Sequence, residues 1–320
     1  MHSSWGAILG IATTLLVSTY TPLHSHTSIR ASNCSQVHKF INPDLDCLDT
    51  DNIYEQINSI EGEVTTLIES EIKNGNASRI SVFYRDLNTR KWFGINENES
   101  YAPGSLLKLP LAIAYFKLSE VDQGVLNQEI LFPEKSENLN LMQNIPPPEN
   151  ITAGKTYSSK ELIRRMISYS DNDALTLLAE HIPEQYSSKV YIDLGVYFPT
   201  SGGIEQNFVN VKTYAGILRL LYNASYLGID TSEKILGMMA NSSFTLGIRA
   251  GVPDGISIAN KFGDRSFEGN NGKMIHQLHD CGIIYKTKEP YILCIMTEGA
   301  DIKSLEKIIS KISKITYETQ

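Results

Sequence analysis

Tyr101-Ala-Pro-Gly-Ser105-Leu-Leu-Lys108-Leu-Pro-Leu-Ala-Ile-Ala-Tyr-Phe-Lys-Leu118 joins a loop to an apolar helix. Pro103 and Gly104 punctuate the loop, and the unbroken apolar run after them reads as a helix through about Leu118. Ser105 and Lys108 are three apart, so they share one face at the positive end of that helix. A serine needs a base to become a nucleophile, and a lysine that is desolvated or set beside another cation loses its proton near neutral pH. The Ser-x-x-Lys spacing alone recurs by chance on many helices, so its meaning depends on the chain around it.

Upstream, Ile53, Ile57, Ile60, Val64, Leu67, Ile68 and Ile72 repeat at three and four residues and stop at Asn74-Gly75, an amphipathic helix. Residues 79–85 and 91–95 read as two strands joined by a turn at Asp86-Leu-Asn-Thr. Downstream, strands at about 256–262, 280–286 and 291–297 precede a helix with Ile302, Leu305, Ile308, Ile309, Ile312 and Ile315 on one face. The middle, 105–245, reads as mostly helical: a capping box at Ser158-Ser-Lys-Glu161 opens one helix, Asp171 to Ile182 forms another, and Val211 to Tyr222 a third. The expected fold class is α/β (α+β): a five-stranded antiparallel sheet flanked by terminal helices, plus an all-helical lobe, with a cleft between the two lobes.

Two further segments give Ser105 and Lys108 a context. Ser170-Asp171-Asn172 lies at a helix junction, and Lys261-Phe262-Gly263 follows the alternating strand Gly255-Ile-Ser-Ile-Ala-Asn260. In order and separation the three segments resemble the S-x-x-K, S-D-N and K-T-G boxes of class A β-lactamases and their penicillin-binding relatives. The resemblance covers about residues 51–320 and implies the same β-lactamase-like fold. It implies that Ser105 forms the acyl-enzyme, that Lys108 is its base or part of a base relay, and that Ser170 passes a proton to the departing nitrogen. Asn172 would hold the substrate amide, and Lys261 would supply positive potential that keeps Lys108 neutral. The backbone N–H groups of Ser105 and Asp264, which follows Gly263, would form the oxyanion hole. The implied substrate is a small β-lactam or a cell-wall peptide, with no metal and no organic cofactor.

The match departs from the family at two places. Phe262 stands where the family has Thr or Ser, whose hydroxyl helps to bind the substrate carboxylate, and an aromatic ring cannot donate that bond. Arg265 is the candidate replacement, as a bidentate carboxylate partner. Class A enzymes also carry a glutamate, on a loop after S-D-N, that activates the deacylating water. No E-x-x-L-N pattern lies between Asn172 and Lys261, and Glu205, in Gly202-Gly-Ile-Glu-Gln-Asn207, is the candidate deacylation base. Without such a base the acyl-enzyme would persist, as in a penicillin-binding D,D-peptidase-like protein. A non-catalytic binding protein that kept the fold is the remaining alternative, with Phe262 as its motive.

The 320 residues are 42% hydrophobic and 20% charged, the proportions of a globular protein, and exclude disorder, collagen and coiled coil. A net charge of -8 with no dense Lys/Arg run sets nucleic-acid binding aside. Trp5 to Val17 is too short for a confident membrane span but fits the apolar core of an export signal, although no Lys or Arg precedes it. The expected organisation is 1–22 as signal peptide or membrane anchor, 23–50 as linker, and 51–320 as one catalytic domain. Within it, 51–104 and 246–320 form the sheet lobe and 105–245 the helical lobe. The protein is expected to be exported and monomeric, touching a membrane only through its N-terminus.

Cys34 and Cys47 bracket a short loop, whereas a turn centred on Thr287-Lys288 sets Cys281 opposite Cys294. Each pair reads either as a bridge or as two small buried apolar residues. His276 and His279 with Cys281 have zinc-ligand chemistry, but residues three apart on a strand point to opposite faces.

Overall fold

The computed structural model describes residues 58–319 except 135–137, 202, 270–271 and 288. The Trp5–Val17 run, the Cys34 and Cys47 pair, and Ile53 and Ile57 of the first helical pattern lie outside the described residues. Helix α1 (Asn58–Lys73) leads into β1 (Arg79–Asp86) and β2 (Trp92–Ile95). The far end of the chain supplies β5 (Ile258–Glu268), β6 (Met274–Ile284), β7 (Tyr291–Gly299) and helix α8 (Ile302–Thr319). The five strands form one antiparallel sheet in the order β2-β1-β7-β6-β5, so β5 is an edge.

Side chains alternate across this sheet with a period of two, and each parity has its own core. Tyr291, Leu293 and Ile295 of β7 join Ile80, Val82 and Tyr84 of β1 and Ile258 and Phe262 of β5 beneath α1 and α8. The terminal helices meet them with Ile60, Val64 and Ile68, and with Leu305, Ile308, Ile309 and Ile312, the stripes that their periodicity requires. The opposite parity, Ile292, Cys294 and Met296 with Phe83, Ala259, Cys281 and Ile283, packs against the middle of the chain. Among the described residues no helix is long and apolar enough to cross a membrane.

That middle is built on α2 (Lys108–Ser119), which is buried on nearly every side. A helix that is apolar all round belongs in the centre of a lobe, and Pro110 is tolerated because it falls in the first turn. Around it lie α3 (Ser159–Ser168), α4 (Asn172–His181), α5 (Glu184–Asp193), α6 (Val211–Tyr222) and α7 (Ile229–Ala240). Ser158 caps α3, accepting from the Glu161 N–H at 3.3 Å, as the capping box requires. The lobe is not all helical: β3 (Glu129–Leu131) pairs antiparallel with β4 (Thr156–Ser158). Three-residue strands are too short to show an alternating pattern, which is why they pass as loop in the sequence.

β5 and β6 differ more from the sequence expectation, because they run together as far as the Glu268–Met274 pair. Gly263, Asp264, Arg265 and Ser266 read as the end of a strand, yet a cleft-facing edge strand carries polar residues without losing its ladder to β6. At the other end the expected register holds: Cys281 faces Cys294 and Ile284 faces Tyr291. Cys281 and Cys294 are joined in a disulfide, with Cα atoms 3.9 Å apart.

Candidate active site

The turn that carries Ser105, Gly104–Leu107, is a 3-10 helix wedged between β5 and the helical lobe. Its approach to β5 depends on two glycines. A Cβ on Gly263 would lie 2.7 Å from the Pro103 carbonyl oxygen and 3.0 Å from the Leu106 nitrogen, both backbone atoms. Gly104 has φ +51, and its Cβ would lie 2.7 Å from the Asp264 carbonyl oxygen. Only residues without Cβ allow the two backbones to touch in this way, and the contact sets the Ser105 and Asp264 peptides side by side.

Other groups brace the turn. The Ala102 N–H donates to Gln277 Oε1 at 3.0 Å, and Tyr101 bridges to Val209. Burial pushes His279 down to about 4, so its ring is neutral, and its Nε2 lies 3.0 Å from the Ala102 carbonyl. The hydroxyls of Tyr191 and Tyr214 donate to the carbonyls of Leu107 and Leu106, at 2.9 and 3.2 Å. Nothing in their local sequence distinguishes these tyrosines from packing residues.

Ser170 joins the two lysines that the sequence separates by more than 150 positions. It is wholly buried in the turn before α4 and has φ +59, a conformation that a non-glycine residue holds only when its surroundings fix it. Lys108 Nζ donates to the Ser170 carbonyl and, at 3.0 Å, to its Oγ. Lys261 donates to the same Oγ at 3.0 Å and to the Phe262 carbonyl at 2.8 Å. Burial drives the Lys108 pKa well below its ordinary value and the nearby Lys261 charge lowers it further, while Asp171 and Asp264 oppose both. Burial likewise brings Lys261 down to about 7, against the pull of Asp264 and Asp280. Two lysines thus share one hydroxyl, and burial lowers the pKa of both.

The cleft in front of this chain has a volume of about 780 Å³. Ser105, Lys108, Asn172, Glu205, Asp264 and Arg265 line it, whereas Ser170, Lys261 and Gly263 lie behind the wall. Arg265 donates to Glu205 at 3.2 Å across the mouth, with the Glu205 side chain 76% exposed. The edge strand is also tied to the helical lobe by Asn144, which donates to Asp264 Oδ2 at 2.8 Å and to Ser266 Oγ at 3.0 Å. Phe262 takes no part in the lining. It shares the sheet face of Ile258 and stacks on Phe244, with ring centroids 4.5 Å apart. The residue that breaks the K-T-G pattern is thus a core residue under the terminal helices, and Arg265 is the cationic side chain that reaches the mouth from β5.

The suggested zinc ligands go to separate duties. Cys281 is in the disulfide, His279 meets Ala102, and His276 Nδ1 lies 2.6 Å from Ser266 Oγ.

Residues 60–320 match the model of the beta-lactamase enzyme family. The chain belongs to that family. It is 25% identical to the β-lactamase VEB-1 of Pseudomonas aeruginosa over 283 residues, covering 81% of this chain and 91% of that protein. Among solved structures, the TLA-3 extended-spectrum β-lactamase superposes with a TM-score of 0.69 at 20% identity, covering 82% of this chain and 98% of that one. A mutant of PBP-A, solved as an acyl-enzyme complex with penicillin G, superposes with a TM-score of 0.66 at 16% identity, covering 83% and 97%. The mixed α/β fold with a five-stranded antiparallel sheet matches that of these solved structures.

Proposed function

We propose that the protein is a class A β-lactamase-like serine hydrolase that opens β-lactams or related amides through an acyl-enzyme on Ser105. The observation that carries this reading is the buried chain of Lys108, Ser170 and Lys261 directly behind the wall that Ser105 and Lys108 line. Lys108, kept neutral by burial and by Lys261, takes the Ser105 proton as Oγ bonds to the substrate carbonyl carbon. The N–H groups of Ser105 and Asp264 receive the oxyanion. When the C–N bond breaks, Ser170 passes a proton to the departing nitrogen and regains one from Lys108.

Asn172 holds the substrate amide, and Arg265 meets its carboxylate in exchange for Glu205. Glu205 and Asp264 are the acidic residues among the described cleft lining, and Asp264 is engaged by Asn144. Glu205 is therefore assigned as the base for the water that attacks the acyl-enzyme. The water's oxygen bonds to the acyl carbon, its proton goes to Glu205, and Ser105 is released with a proton returned. Export belongs to the same reading, supported by the Trp5–Val17 run and by a bridge of the kind that forms in oxidising compartments.

The test is hydrolysis of a chromogenic cephalosporin by the native protein, Ser105→Ala and Glu205→Gln. Native turnover should vanish in Ser105→Ala, while Glu205→Gln should keep the acylation burst and slow its release by about 10²–10⁴-fold, the contribution of a general base. Hydrolysis retained in Ser105→Ala removes the acyl-enzyme, and unchanged release in Glu205→Gln assigns the water to another group. Cleavage of a D-alanyl-D-alanine peptide with no β-lactam turnover would make the protein a penicillin-binding peptidase instead.

A further inference from the structure

Asn140 lies in the 3-10 turn Leu139–Met142 and is 2% exposed. Its amide nitrogen donates to Asp171 Oδ1 at 2.9 Å, Asp173 Oδ2 at 3.0 Å and Asn150 Oδ1 at 2.9 Å. Its carbonyl oxygen accepts from the Asn172 N–H and from Gln143 Nε2, both at 2.7 Å. A carboxamide has two N–H donors and one two-lone-pair acceptor, so the whole capacity of this side chain is used, with one N–H shared. The adjoining Leu139 N–H donates to Asp173 Oδ1 at 2.9 Å. One buried side chain from a wall of the cleft thus grips each of the three residues that follow Ser170.

Ser170 and Asn172 depend on that grip for different reasons. Ser170 holds a left-handed backbone while its Oγ sits between Lys108 and Lys261. Asn172 opens α4 and lines the cleft. Asp171 caps α4 by accepting from the Asp173 and Ala174 N–H groups, but its Oδ2 is buried without a partner among the described residues. The NH2 of Asn140 is the side-chain donor that sits between the Asp171 and Asp173 carboxylates.

We infer that Asn140 is a positioning residue for the acyl-transfer reaction: it holds the Ser170-Asp171-Asn172 turn so that the Ser170 hydroxyl stays between the lysines and Asn172 stays in the cleft wall. The inference rests on the Ser105 reading of the site. No other natural side chain of this size supplies two donors and an acceptor here. An aspartate of the same shape has no donor when ionised, and it would face Asp171 and Asp173 from α4, Asn150 and Gln143 from its own loop, and Lys108 beyond Ser170. Glu149, next to Asn150, is engaged by Arg165 at 3.1 Å. The two facing carboxylates would hold the new carboxyl protonated to higher pH, and the protonated form recovers one donor.

The test uses Asn140→Asp and Asn140→Ala in the full-length protein. The acylation rate with benzylpenicillin is followed by stopped flow from pH 5 to 8, each value taken relative to native protein at the same pH. Asn140→Asp is expected to recover to within a few-fold of native in acid and to fall by about 10²-fold at pH 8, the size of effect that an ångström of misplacement produces. A flat ratio across that range overturns the inference, because loss of packing alone carries no such pH signature. Amide hydrogen exchange supplies the reading that needs no activity. In Asn140→Ala the amides of residues 171–174 should exchange at least about tenfold faster, while those of β6 and β7 stay protected. Equal exchange in the two proteins also overturns it. If native protein takes no acyl group from any β-lactam, the Ser105 reading falls, and the exchange experiment still decides the role of Asn140.

Discussion

Replacing Phe262 by Thr restores the K-T-G pattern at this position, and the protein is expected to lose stability without gaining affinity. Phe262 is 1% exposed, stacks on Phe244 at 4.5 Å, and lies 4.3 Å from the Lys261 ammonium. Truncating a buried Phe to Ala costs about 3–5 kcal/mol. A Thr returns one methyl group, worth about 0.8 kcal/mol. It also buries a hydroxyl among apolar neighbours such as Ile258, which costs about 1–3 kcal/mol where no partner is found. The net loss is about 5 kcal/mol, or a fall in Tm of roughly 10–20 °C at about 2–4 °C per kcal/mol for a domain of this size. Urea melts followed by fluorescence, at constant m, measure the first quantity, and the acylation rate with benzylpenicillin at 10 °C measures the second. An unchanged midpoint together with faster acylation would refute the reasoning, because it would mean that position 262 faces substrate rather than the core.

Gly263→Ala puts a methyl 2.7 Å from the Pro103 carbonyl and is expected to cost about 1–3 kcal/mol by overpacking. If the turn opens instead, acylation should drop by about 10²-fold through misplacement of Ser105; a variant normal in both melts and stopped flow contradicts the brace between β5 and the turn. Removing the bridge with the double variant Cys281→Ala/Cys294→Ala should cost about 3 kcal/mol, since it frees a loop of 13-residue separation, and an unchanged urea midpoint would deny that constraint. The pH profile of acylation should be bell-shaped. It rises as Lys108, with its pKa lowered by burial, loses its proton, and it falls above about pH 7 as Lys261 does the same and its positive potential disappears. Lys261→Arg, which stays charged, should remove the alkaline limb, and a native rate that keeps climbing to pH 9 counts against the role of Lys261.

The terminal helices were legible because each carries the repeat that a single apolar face imposes, and β1 and β7 because they are short, largely apolar runs buried on both faces. The stripe from Ile60 to Ile68 and the continuous apolar run from Tyr291 to Met296 both point at cores that exist. β5 and β6 were legible only in part, since the outer half of β5 lines the cleft, the outer half of β6 pairs with it, and both carry polar residues that mark a loop elsewhere. Ser105, Lys108, Ser170 and Lys261 could be picked out as boxes, and the fold joins the Lys108, Ser170 and Lys261 side chains by hydrogen bonds beside the cleft that Ser105 lines. Asn140, Asn144 and Gln277 could not be picked out. Each acts through side-chain hydrogen bonds to partners more than 30 residues away, and no spacing rule in a single sequence encodes such contacts. Phe262 was legible as a departure but not in its direction. Strand parity assigns it to the face of Ile258, a placement that needs the register of β5 on β6.

The most direct test of the central claim is intact-protein mass spectrometry over time after mixing with benzylpenicillin, beside Ser105→Ala, with peptide mapping of any adduct. The account predicts a transient adduct of one drug mass on the peptide containing Ser105, accompanied by accumulating penicilloate and absent from the variant. An adduct on another residue, an adduct that survives in Ser105→Ala, or hydrolysed drug with no covalent intermediate trapped by rapid acid quench would contradict it.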